Sequence, residues 1–188
     1  EFRRVLFRSF RGAGLIQALI IIGLAIPNIM IVMPLFSIVS ALNLSGTHFT
    51  LIFLYTACSV PYTTFFLLTF FKGISTSFEE AAAIDGCGPI QCFWKIMFPL
   101  AQPAIVTVSI FNFIGKWNEY FMALIFANKS NLRPIGVGLY QTVTSMMNSG
   151  DWAGMFASVV IVFIPTVVIY AFLSDKIISG VTAGGNKG

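Results

Sequence analysis

Charge is what this chain has least of. Between Gly12 and Phe71 there is no Asp, Glu, Lys or Arg, and only 10% of the 188 residues are charged. Soluble domains run near 25%, so a soluble globular domain is excluded. Histidine occurs once, as His48 in a short polar turn, which leaves no Ser/His/Asp set. Cysteine occurs three times, as Cys58, Cys87 and Cys92, and never as C-x-x-C; neither metal nor thiol chemistry is expected. No G-x-x-x-x-G-K-[ST] phosphate loop is present, because Gly184 to Gly188 lacks both the spacing and the hydroxyl. The chain therefore carries no catalytic site and no cofactor of its own.

What is present is apolar. Hydrophobic residues make up 57% of the chain. Sixty uncharged residues fit two bilayer crossings of about 20 residues each, joined by a turn. Four spans are expected over about 14–38, 49–71, 103–126 and 152–172. At 1.5 Å per residue each reaches about 30 Å or more. Period-two alternation is absent and the runs are too long for barrel strands. The expected fold is an all-α polytopic membrane protein. Pro27, Pro34, Pro61 and Pro165 lie inside the spans, where neighbouring helices and water can satisfy the freed carbonyls.

The opening nine residues, Glu1 to Ser9, resemble the translation of a sequencing-adapter oligonucleotide and are set aside as a scar. A basic juxtamembrane segment or the start of a signal peptide is the rival reading. Without Arg3, Arg4, Arg8 and Glu1 the chain keeps eight basic and six acidic residues, a net charge of +2. That balance gives no reason to expect nucleic acid. Arg11, Lys72, Lys95, Lys176 and Lys187 fall on one side of the four-span topology; Lys129 and Arg133 fall on the other. The positive-inside rule then places the 72–102 loop and the C-terminus in the cytoplasm. Trp152 is positioned as an interfacial anchor, whereas Trp94 lies in the cytoplasmic loop.

That loop holds a compact helical element. Ser77-Phe78-Glu79-Glu80 has the spacing of a capping box, and a short helix should run through Ala81, Ala82, Ala83, Ile84 and Asp85. Gly86 suits the left-handed residue that closes a helix. Gly88-Pro89 starts a second helix. Ile90, Phe93, Trp94 and Met97 would form its apolar stripe and Pro99 would stop it. The small face of Ala81, Ala82 and Ala83 would let another surface approach closely, as in helix-in-groove recognition. An amphipathic linker resting on the membrane is the alternative.

Glu80-Ala81-Ala82-x3-Gly86-x9-Ile96-x-Phe98-Pro99 resembles the "EAA" loop of binding-protein-dependent ABC importer permeases, with Phe98 where Leu is usual. Trp117-Asn118-Glu119 and the segment Ser179 to Gly188 resemble two further motifs of the carbohydrate, maltose-type branch. The resemblance runs from Phe10 to Gly188 and implies a six-helix permease domain, so two helices are expected before this chain. It also implies partners: a cytoplasmic ATPase that grips Glu80, Ala81, Ala82, Asp85, Gly86, Ile96 and Pro99, a second permease subunit, and an extracytoplasmic solute-binding protein, in a bacterial or archaeal plasma membrane. The solute would be a sugar or a related compound. A secondary transporter or a structural membrane subunit is the alternative, although no repeated halves are evident.

Lys116 and Glu119 lie deep in the third expected span, three residues apart. Charge at such depth costs about 2.5–3.5 kcal/mol on insertion scales and usually faces protein or water. With Asn112 and Asn118 they form a candidate solute path. A buried Lys116–Glu119 ion pair that fixes packing is the competing reading.

Overall fold

The computed structural model describes residues 12–127 and 129–183, with side chains to Ser174. The adapter-like residues Glu1 to Ser9 and the end of the C-terminal motif, 184–188, lie outside the described residues. Ten α-helices occur among the described residues, with no strand. They are α1 (Ala13–Ala25), α2 (Asn28–Ala41), α3 (His48–Gly73), α4 (Ser77–Ile84), α5 (Pro89–Cys92), α6 (Phe98–Leu100), α7 (Gln102–Trp117), α8 (Phe121–Phe126), α9 (Ile135–Ser149) and α10 (Trp152–Ala183). A π-helical turn, Phe93–Met97, joins α5 to α6, and a 3-10 turn, Ser130–Leu132, precedes α9.

Two of the expected spans are interrupted. The first stops at Ile26 and restarts at Asn28, with Ile26 extended at φ −82°, ψ 116° and Pro27 at the cap. A residue before proline is pushed out of the helical region, and proline brings no N–H to continue the ladder. Pro34, Pro61 and Pro165 are instead carried inside α2, α3 and α10. The third expected span ends at Trp117 and resumes at Phe121. By length and hydropathy, α3 and residues 152–174 of α10 can each cross a membrane alone. None of the most apolar stretch of α10 is buried within the chain, as suits a helix surrounded by lipid or neighbouring helices.

The chain forms two compact units. Among the described residues one comprises 12–26, Val60–Ser109 and 176–183; the other comprises Pro27–Ser59 and Ile110–Asp175. The first contains the elbow between α3 and α7. Its core joins Phe70, Ala101 and Ala104 to a second cluster of Ala82, Cys92 and Met97, with Phe71 and Ile74 packed on both. In the same unit α1 and α3 come close at Gly23, where a Cβ would lie 3.0 Å from Pro61 Cγ. The second unit is centred on Val32 and Val39 of α2, Leu51 and Leu54 of α3, Met122, Ala123 and Phe126 of α8, and Val137 of α9. Phe36 and Phe126 meet there with ring centroids 6.1 Å apart.

Candidate functional site

The elbow begins differently from the expected capping box. Ser77 is already helical, and Thr76 holds the cap position without a capping bond from its own side chain. Ser75 Oγ instead accepts the Ser77 N–H at 3.3 Å. The box fails because the helix starts one residue early, with Thr76 rather than Ser77 at its cap. The C-terminal end of α4 closes on glycine. Gly86 has φ +75°, its N–H reaches Ala83 O at 3.1 Å, and the Cys87 N–H reaches Ala82 O at 2.9 Å. This pair of bonds is the Schellman arrangement, with Cys87 packed back on Ala82 as the usual apolar contact. Nothing lies within 4 Å of a Cβ built at Gly86, so the need for glycine there is conformational.

Ala82 therefore faces inward, 1% exposed, and the three alanines do not form one outer face. The outward surface of α4 is Glu80, Ala81, Ala83 and Ile84, followed by Asp85. The expected stripe on the second helix also divides. Met97 is buried and Phe93 half-buried, whereas Ile90 and Trp94 are exposed. Ile96 is half-buried against the Ala82–Cys92–Met97 cluster. Pro99 does not stop the helix; it lies in the first turn of α6, exposed, and the bend comes at Ala101. Its ring would press on the carbonyl four residues back in a regular helix. The preceding π turn, in which the Phe98 N–H reaches back to Phe93 O, opens that turn. Burial raises the Cys92 thiol above its usual range, with the charges of Glu79 and Cys87 adding to it.

The polar residues of the third span do not share one helical face. Lys116 lies in the last turn of α7, and Glu119 lies in the break before α8. The Glu119 carboxylate caps that restart: Oε1 accepts the Met122 N–H at 2.6 Å and Oε2 the Ala123 N–H at 3.2 Å. Oε2 also accepts the Tyr55 hydroxyl at 2.5 Å. A negative charge at a helix start is favourable on its own account. Lys116 makes no ion pair with it; its Nζ lies 5.1 Å from the centroid of the Tyr55 ring, a cation–π contact. Where the competing reading has a Lys116–Glu119 ion pair, the two side chains instead meet on either side of Tyr55. Asn112 is half-buried one turn earlier.

Asn118 points elsewhere. Its Nδ2 donates to Ile114 O at 3.0 Å, and the residue lines a cavity of about 240 Å³ with Trp117, Tyr120, Gly136, Tyr140 and Val162. Tyr120 and Tyr140 stack with centroids 5.3 Å apart. Trp117 Nε1 donates to Val162 O at 3.2 Å. Tyr55, Tyr120 and Tyr140 had no prior signal: each is an aromatic in an aromatic-rich chain, and their pairing depends on contacts far apart in sequence. Among the described residues no group of three or more His, Cys, Asp or Glu could hold a metal.

The family described as "Binding-protein-dependent transport system inner membrane component" matches residues 5–182, nearly the whole chain. The chain belongs to that family. It is 36% identical over 182 residues to the sulfoquinovosyl glycerol transport system permease protein SmoH of Agrobacterium fabrum, covering 96% of this chain and 62% of that protein. It is 34% identical over 183 residues to the trehalose/maltose transport system permease protein MalG of Thermococcus litoralis, covering 96% and 64%. Among solved structures it resembles a chain in the crystal structure of a bacterial ABC transporter involved in the import of the acidic polysaccharide alginate. That match has a TM-score of 0.75 and 25% identity, covering 89% of this chain and 62% of that one. The chain thus spans about three fifths of the relatives it matches. The family is described as one of inner-membrane transport components, and the relatives are named as permease proteins.

Proposed function

We propose that this chain is part of the permease subunit of an ABC importer for a sugar or related solute, and that its elbow receives motion from an ATPase on a separate chain. The observation that carries this reading is the Schellman reversal at Gly86. It presents Glu80, Ala81, Ile84 and Asp85 outward on a short, closed helix, at the spacing of the family's EAA loop. Ala82, Ile96 and Pro99 act from within or behind that face: Ala82 and Ile96 pack α4 onto the second helix, and Pro99 shapes the turn that follows. The loop and the C-terminus face the cytoplasm, in keeping with the excess of basic residues on that side. A second permease subunit and an extracytoplasmic solute-binding protein complete the assembly.

The solute path runs past the α7–α8 break. Asn118 and the aromatic walls of its cavity suit a hydroxyl-rich ligand, whose C–H faces stack on rings while its hydroxyls meet amides. Lys116 stands beside that path. Glu119 holds the break in shape: its carboxylate is engaged by the Tyr55 hydroxyl and by the Met122 and Ala123 N–H groups. The test is cross-linking in the full-length protein. Cysteines placed singly at 80, 81, 84 and 85 should trap a co-purified ATP-hydrolysing subunit, whereas a cysteine at 82 should not. If none of the outward positions traps it, the docking assignment falls.

A further inference from the structure

The second arm of the elbow has an exposed apolar face that the motor-docking helix does not use. Ile90, Trp94 and Phe98 follow one another at intervals of four residues and are 76%, 59% and 40% exposed. The π turn between Phe93 and Met97 widens the helix at this point and keeps Trp94 and Phe98 on the same side. Their ring centroids are 5.1 Å apart, and Phe93 packs edge-on to Trp94 at 5.2 Å. Phe93 in turn meets Phe71, at the end of α3, at 6.2 Å. The aromatic group is therefore fixed to the elbow's own core. Lys95, exposed, lies beside Trp94.

The orientation of this arm narrows what covers the face. Pro89–Leu100 is bent by 67° from Gln102–Trp117, the helix it feeds. If α7 enters the bilayer near its normal, as spans usually do, the arm lies closer to the membrane plane than to the span. A short amphipathic helix in that plane, with Trp and Phe on one side and Lys beside them, has the composition of an interfacial segment. Tryptophan favours the headgroup level, where its ring is apolar and its N–H stays wet. Lysine there meets lipid phosphates.

We infer that the Ile90–Trp94–Phe98 face lies in the headgroup region of the bilayer and anchors the elbow to the membrane surface. The two arms then have separate duties: α4 offers its outward face to the cytosolic partner, and the second arm is held by lipid. A force on α4 would be delivered against that anchored arm and so into α7.

The test uses the full-length protein, without any ATPase, in vesicles of phosphatidylcholine and phosphatidylglycerol. Fluorescence of the unaltered protein minus that of Trp94→Phe isolates Trp94, since every other tryptophan contributes to both. Lipids brominated near the headgroup end of their chains should quench the Trp94 difference signal more than lipids brominated near the methyl end, and aqueous iodide should quench it little. A polarity-sensitive thiol dye on Phe98→Cys, its signal read over that of the identically treated unaltered protein to remove Cys87 and Cys58, should be blue-shifted in the same vesicles. Strong iodide quenching with no response to brominated lipid would overturn the anchor. So would shielding that appears only when the ATPase is added, or only at concentrations where two copies associate. None of these outcomes depends on whether α4 docks a motor.

Discussion

Glu119 offers the sharpest test of how the α7–α8 break is held. Its carboxylate accepts three bonds, from the Tyr55 hydroxyl and from the Met122 and Ala123 N–H groups. Hydrogen bonds to a charged acceptor contribute roughly 1.5–3 kcal/mol each. Three that share one acceptor are not additive, and the two N–H groups at the start of α8 can find partial substitutes. Glu119→Ala should therefore cost about 4 kcal/mol of stability. Tyr55→Phe removes one bond but keeps the ring under Lys116, so it should cost about 1.5 kcal/mol. In a Glu119→Ala background the same Tyr55→Phe change deletes a hydroxyl already left without its acceptor, and its cost should fall to about zero, a coupling of about 1.5 kcal/mol. Unfolding of the full-length protein in mixed detergent micelles, for all four members of the cycle, measures this directly. If Tyr55→Phe costs the same in both backgrounds, the hydroxyl–carboxylate bond is not what joins α3 to the break.

Three further outcomes follow from named contacts. Gly136→Ala would place a Cβ 2.6 Å from the Glu119 carbonyl oxygen, whereas Gly138→Ala meets nothing within 4 Å. The first should lower the melting temperature, as overpacking of about 1–3 kcal/mol does, and the second should raise it slightly through helix propensity of about 1 kcal/mol; equal shifts would refute the close approach. Gly86→Val forces a branched side chain into the left-handed region at about 1–2 kcal/mol, so membrane insertion should persist while solute-stimulated uptake fails; unaltered uptake in reconstituted vesicles would remove the Schellman turn from the coupling argument. Iodoacetamide should modify half-buried Cys87 well before Cys92, whose burial and raised thiol pKa keep it protonated; mass spectrometry showing Cys92 modified first would contradict the packing of the elbow.

The helical membrane class was legible because it rests on composition: sixty residues without charge leave little else. Gly86 was legible for a similar reason, since few residues besides glycine close a helix in the left-handed region. Features set by contacts between distant residues were not. Tyr55 and Glu119 are 64 positions apart, and nothing near either one announces the other. The break at Asn118–Tyr120 contains neither proline nor glycine, so a run of apolar residues read as one span. The amphipathic α9 was hidden by Gly136 and Gly138 near its start and by helix-poor Thr and Ser along its length. Ala82 could not be told from Ala81 and Ala83 until α4 was packed on the second arm. The π turn has no periodic signature of its own; Pro99 was read as a stop because a regular helix would have had to end there.

The interruptions at Ile26–Pro27 and Asn118–Tyr120 carry a consequence for where oil can go. Hydrocarbon offers no partner to a peptide group outside a regular helix. Neither stretch can therefore be greasy wall. Each must pack against protein, as the second does on Tyr55 and Gly136, or border water, and deuterium should enter the backbone there sooner than in the uninterrupted core of α10.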